Sequence, residues 1–210
     1  MIDFSDRWIN IDASARCSLE CPKCMRQSLR RQNKTIPGSD MTIKQFKKII
    51  NYFSGINFCG QISDPIFSPN FIDFLKLCKM KNKPCHVHTA ASQKSEKWYR
   101  KAFMSNIDAK WIFGIDGMPY ESFIYRINQD GEKLFNMMLM AKSLGLHVVW
   151  QYIVFRYNED HIDDARKLAD KHNINFEIHL SARWNKDNEY DWYKPKKEEN
   201  RIMTKDDRKF

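Results

Sequence analysis

The chain alternates between two rhythms of apolar residues. Short apolar runs that predict strands recur, and after most of them apolar residues return every three or four positions, the spacing of one helix face. Residues 8–12 (WINID) form the first strand. Ile43, Phe46, Ile49, Ile50 and Phe53 mark a helix that Thr42 and Gln45 open as a capping box. Residues 56–59 are a second strand, Phe71, Phe74, Leu75 and Cys78 line the next helix, and Pro84 separates it from a third strand at 86–89. A helix over about 94–105 leads to a fourth strand at 111–115. Leu134, Met137, Met138, Ala141 and Leu144 make a further helical face that Gly145 ends. Residues 147–155 are a long apolar fifth strand. Asn158 is placed to cap a helix carrying Ile162, Ala165, Leu168 and Ala169, and 175–180 is the sixth strand. Strand-then-helix units imply parallel strands joined by right-handed crossovers. Six units are too few for a closed eight-stranded barrel.

With 210 residues the chain has the length of one domain with a substantial core. No opening segment has a basic start followed by an apolar run, and no apolar run is long enough to span a bilayer, so the expectation is a soluble protein with no membrane partner. Six cysteines without the density of a secreted disulfide scaffold point to a reducing compartment, the cytoplasm. A net charge of +9 points to an anionic partner such as a nucleotide, a nucleic acid or an acidic peptide, with a lysine-rich surface that is only solvated as the equal alternative.

Candidate chemistry concentrates in one loop. Cys17, Cys21 and Cys24 follow the first strand in a Cys-x3-Cys-x2-Cys pattern, at the strand end where parallel α/β folds carry their sites. Thiolates suit iron–sulfur clusters and zinc. Zinc would need a fourth ligand nearby, whereas the next cysteine is Cys59, in another strand, and the first histidine is His86. A four-iron cluster on three cysteines keeps one iron free of protein ligands. The spacing resembles the signature of the radical S-adenosylmethionine (radical SAM) superfamily, whose open iron is chelated by the amino and carboxylate groups of the methionine moiety. The resemblance runs from about Trp8 to Leu180 and implies an α/β fold, an open six-stranded parallel (β/α)6 partial TIM barrel. Residues 1–180 are then the core, and 181–210 a basic extension containing Trp184, Trp192 and Tyr193, expected to order partly against it.

The same resemblance places cofactor-binding residues at successive strand ends. Residues 59–65 (CGQISDP) look like the glycine-rich segment that holds the methionine amino group, with Gly60 and Gln61 in the turn and Asp64 where glutamate is common. The third strand closes with Thr89 and Ser92 as hydroxyl donors, Ser92 doubling as a helix cap. The fourth ends 114–117 (GIDG), with Asp116, resembling Ser-Ile-Asp-Gly, so Gly114 removes a carboxylate-binding serine and passes its work to Arg126. Gln151 interrupts the fifth strand and would face the ribose. Ile153 or Val154 would pack on adenine, but only one can face inward because strand residues alternate. Lys23 stands where many members carry an aromatic that touches adenine. Arg16 and Arg26 read as surface residues more readily than as charges near a cluster.

The resemblance implies one 4Fe-4S cluster, S-adenosyl-L-methionine, and an electron donor such as a flavodoxin or ferredoxin. Its chemistry is reductive cleavage to methionine and a 5′-deoxyadenosyl radical that abstracts hydrogen from an anionic small-molecule, nucleic-acid or peptide substrate, with nucleotide or nucleic-acid base ahead of peptide on charge. A glycyl-radical-enzyme activase and a non-catalytic metal-binding nucleic-acid module are the alternatives. No catalytic base stands out. His86 and His88 share one strand face, where they contact substrate or serve as ordinary core histidines. Cys59, Cys78 and Cys85 make no second tight group.

Overall fold

The structure, a computed structural model, describes residues 6–181, 191 and 193–201. Strands β1 (Trp8–Ile11), β2 (Gly55–Phe58), β3 (Cys85–Thr89), β4 (Lys110–Gly114), β5 (Val148–Ile153) and β6 (Asn175–His179) form one sheet in the order β1-β2-β3-β4-β5-β6. Every neighbouring pair is parallel. Helices α2 (Ile43–Ile49), α3 (Phe71–Met80), α4 (Glu96–Ser105), α5 (Gly131–Ser143) and α6 (Ile162–Lys171) fall between successive strands. The result is an α/β sheet of six parallel strands, an open partial TIM barrel.

Alternation gives the sheet two unlike faces. On the helix side, register rows bring Ile56 to Cys85, Val87 to Trp111, and Phe113 through Trp150 to Phe176. Phe58, Phe71, Phe74, Phe103 and Trp111 are fully buried there and meet through ring contacts such as the 4.7 Å edge-on pair of Phe103 and Trp111. The concave side carries Asn10, Asn57, His86, His88, Lys110, Gln151 and Glu177.

Most caps follow the residue pattern. Thr42 and Gln45 make both bonds of the capping box. Gly145 takes a positive φ of 87° beyond α5, and Leu146 N–H returns to the Ala141 carbonyl at 3.1 Å. Other details differ. Ser95 rather than Ser92 caps α4, because its side chain meets Trp98 N–H. Asn158 does not cap α6, which starts at Ile162. Its side chain instead accepts from Phe155 N–H at 2.7 Å and donates to the Ile153 carbonyl at 2.9 Å, closing the turn after β5. A short helix α1 (Met25–Arg31) follows the cysteine loop, in a stretch whose polar composition offers no apolar face to announce it.

The described residues 191 and 193–201 lie against the core. Tyr193 meets the rings of Tyr125 and Phe155 at 5.2 and 5.9 Å between centroids. Glu159 accepts from the Lys196 and Lys197 amides at 2.8 and 3.0 Å. Trp184 and Trp192 lie outside the described residues.

Candidate functional site

The three loop cysteines line one cavity of about 430 Å³ at the C-terminal ends of the strands, within the ~300–1,000 Å³ usual for small-molecule sites. Two devices hold their loop. Asp12, just past β1, accepts from Gln61 N–H (3.1 Å), Ile62 N–H (3.4 Å) and the Ser63 hydroxyl (2.7 Å), fastening the loop after β2 to the root of the cysteine loop. Arg26, on α1, donates to the Ala15 carbonyl at 2.5 Å and the Ile62 carbonyl at 3.4 Å. Arg26 is buried and lines the cavity, which corrects the expectation of a surface residue: its stem packs while its guanidinium satisfies loop carbonyls. Arg16 is the more exposed arginine and pairs with Asp40.

Burial, then the nearby Asp64 charge, pushes the Cys17 thiol up to about 12. Cys21 rises to about 11, again by burial, with Arg126 pulling the other way. Both are thiols near neutral pH, so a metal that binds here must displace protons.

Gly60 stands where a Cβ would lie 1.9 Å from the Ser63 carbonyl oxygen, so any side chain would force the backbone aside. Gln61 lines the cavity beside it, and its carbonyl is 4.0 Å from Cys24 Sγ. Asp64 reaches the cavity wall but its carboxylate is engaged by the protein. It accepts from the amides of Ala90 (2.8 Å), Ala91 (3.0 Å) and Ile66 (3.2 Å) and from the Thr89 hydroxyl (3.0 Å). Burial raises its pKa and these donors pull it back. Asp64 and Thr89 therefore lock the loop after β2 to the end of β3.

On β4, the vacancy left by a serine side chain has a physical use. A Cβ on Gly114 would come within 2.8 Å of the Arg126 guanidinium, which lies across that glycine and lines the cavity. Asp116, fully buried, faces Arg126 Nε at 2.8 Å and accepts from Ile153 N–H at 2.9 Å. Burial opposes the charge on Arg126, but Asp116 and the neighbouring Cys21 outweigh it and hold its pKa above the ordinary value. Gln151 and Ile153 also line the cavity, whereas Val154 is buried on the opposite side of β5, as alternation demands. Among the described residues the Gln151 side chain has no hydrogen-bond partner, which leaves its amide for a ligand.

Ser92 and Asp116 do not line the cavity. Ser92 accepts from Asp130 N–H at 2.8 Å, joining the end of β3 to the start of α5. The structure instead adds residues that the strand-end motifs did not single out for this cavity. Lys23 lines it and pairs with Asp191 at 3.2 Å. His88 lines it from β3, with its pKa pulled down to about 4 by burial and by His86. Gln129 donates to the Ala90 and Gly114 carbonyls at 2.5 and 2.9 Å, setting the β3 and β4 ends side by side. Only the position of Asp12 at a strand's end, before the cysteines, was a usable signal; Gln129 lies in a loop and carries none.

The donor set suits a polynuclear cluster. Cys17, Cys21 and Cys24 can each give one thiolate to an iron of a four-iron cube and leave one iron open, while Cys59, just past β2, lines the same cavity. Around them, the backbone about Gly60, the Arg126 guanidinium and the Gln151 amide form a wall for a polar organic ligand.

No family model matches the sequence, and no curated protein matches it. Solved structures match its fold. The anSMEcpe enzyme with bound AdoMet superposes with a TM-score of 0.65 at 16% identity over 89% of this chain and 55% of its own. SuiB of Streptococcus suis bound to the precursor peptide SuiA gives 0.68 at 12% identity over 84% and 39%. Methylornithine synthase, PylB, gives 0.61 at 16% identity over 84% and 54%. These are radical SAM enzymes, and this chain shares their fold. The chain spans between two fifths and somewhat over half of their length.

Proposed function

We propose that the protein is a radical SAM enzyme. The observation that carries this reading is the convergence, at one end of a six-stranded half-barrel, of Cys17, Cys21 and Cys24 with Gly60, Arg126 and Gln151 around a single cavity. Such a cluster, when bound with S-adenosyl-L-methionine, supplies reductive cleavage to methionine and a 5′-deoxyadenosyl radical that takes a hydrogen atom from substrate.

In this reading Cys17, Cys21 and Cys24 hold the cluster and leave its fourth iron to the cofactor. Arg126, kept charged and aimed by Asp116, receives the methionine carboxylate. The backbone around Gly60 and Gln61 takes the amino group, Gln151 a ribose hydroxyl, and Ile153 an adenine face. Asp64, Thr89 and Ser92 act one step back, fixing the strand ends. Residues 181–210 extend a 1–180 core, and Tyr193 and Asp191 hold that extension beside Lys23 of the cysteine loop. The substrate is anionic and the compartment cytoplasmic, with a flavodoxin- or ferredoxin-like protein as electron source. The net charge of +9 supports the anionic substrate.

The test is anaerobic reconstitution with iron and sulfide, then dithionite and S-adenosylmethionine, with 5′-deoxyadenosine quantified. Wild type should show absorbance near 400 nm and form 5′-deoxyadenosine; Cys21→Ala should do neither. A colourless protein that retains zinc and forms no 5′-deoxyadenosine would overturn the proposal.

A further inference from the structure

Closed barrels fill their interiors with branched apolar side chains. The concave face of this half-barrel instead carries mostly polar side chains, with Ile112 and Val149 buried in the row between His88 and Asn175. His86 and His88 sit two residues apart on β3, and register places His86 beside Lys110 on β4. Across β5, Glu177 of β6 approaches Lys110 at 3.7 Å and His179 at 3.6 Å. His147, beside Asn175 at 3.3 Å, completes a set in which four of the chain's six histidines share this face.

Two properties make the group a recognition surface rather than polar filling. His88 belongs to it and also lines the cavity, so whatever binds here lies next to the cofactor wall. Its ring makes no hydrogen bond among the described residues, and His86 offers only a ring contact, 4.5 Å from Trp8. The Lys110–Glu177 pair is long and its carboxylate half exposed, at 26% and 46% side-chain exposure, so it holds Lys110 weakly. One ammonium and two uncommitted imidazoles, neutral near pH 7, thus share a concave wall, where each ring can donate one N–H to an oxyanion beside the Lys110 charge.

We propose that His86, His88 and Lys110 form an oxyanion-binding subsite on the concave face, which anchors a phosphate or carboxylate group of the substrate beneath the cavity. Glu177 competes with that anion for Lys110. The proposal deepens the functional reading above and rests on it for the word substrate, but binding at the subsite is measurable without cluster turnover.

The experiment is a titration of the reconstituted full chain, labelled with 15N-histidine, at fixed ionic strength near 150 mM. Inorganic phosphate is added in one arm and acetate in the other, while imidazole resonances assigned by single His→Gln variants are followed. Saturable shifts of His86 and His88, with His161 and His172 unmoved, are expected. Lys110→Met should weaken binding about tenfold or more, and Glu177→Gln should tighten it, the opposite sign. Response to phosphate alone or to acetate alone identifies the oxyanion. No saturable shift in either arm, or an affinity that neither variant changes, overturns the proposal. Two-dimensional amide spectra of both variants check that they keep the fold. Formation of 5′-deoxyadenosine by a protein that binds neither anion would sink the subsite alone; anion binding without any 5′-deoxyadenosine would sink the radical reading alone.

Discussion

The two faces of the sheet are built from alternate residues of the same strands, yet they behave as different materials. Toward the helices, Phe58, Trp111, Phe113 and Trp150 are fully buried and meet edge to face or stacked with rings from α3, α4 and α5. Toward the concavity, Asn57, His86, His88, Lys110 and Glu177 remain partly or fully exposed, and of their contacts the 2.7 Å bond from Asn57 to Asn10 is the firmest. Stability is invested in the face that never meets a ligand, which leaves the other face free to carry uncommitted polar groups. A half-barrel needs this division, because its concave side has no opposite strands to supply an apolar filling.

The largest effect should come from damaging the sealed face. Phe103 touches Tyr99, Trp111 and Phe113, and Phe103→Ala should cost about 3–5 kcal/mol, read as a loss in urea unfolding. A loss below about 1 kcal/mol would show that this face is not where stability resides. Next is the seam between the faces. Asp64→Asn keeps the shape but replaces one acceptor oxygen with an NH2 that must face either the Ala90 and Ala91 amides or the Ile66 amide, and should cost about 1–3 kcal/mol and loosen S-adenosylmethionine binding. Binding is measured by calorimetry. Unchanged stability and affinity would mean that these strand ends are held by something else.

Smaller effects are expected from the open side. Gly114→Ala adds no hydroxyl and puts a Cβ 2.8 Å from the Arg126 guanidinium, so stability should move by about 1 kcal/mol or less while cofactor affinity falls through displacement of the guanidinium. Equal affinity would remove Arg126 from the carboxylate site. A further prediction concerns acid. His88 has a folded pKa of about 4, lowered chiefly by burial, against about 6.5 when unfolded. The unfolded chain therefore binds that proton first: stability should fall as pH drops from about 6.5 to 4 and level off below. His88→Gln should flatten that part of the profile, and an unchanged slope would assign it to other groups.

Much of this architecture was legible in the residues. Period-two and period-three-to-four patterns predicted six strands and the five helices between them, and all six strands pair in parallel and in sequence order. The cysteine spacing and the glycine at 60 pointed to the end of the sheet where the cavity lies. Local polarity was less informative. Arg26 reads as a surface residue until its carbonyl partners are seen, and α1 has no apolar stripe because its short length serves the cysteine loop rather than the core.

The sequence by itself determined the strand order's raw material, the cysteine loop and which residues alternate, because these depend on neighbours along the chain. Only the tertiary structure decided that Ile153 and not Val154 faces the cavity, and that Asp64 spends its carboxylate on strand ends. It likewise decided that Gly114 makes room for Arg126, and that Lys110 meets Glu177 across an intervening strand. Each of these turns on register and curvature, which bring together side chains tens of residues apart, and no local pattern encodes which of several polar groups the folded chain leaves unpaired.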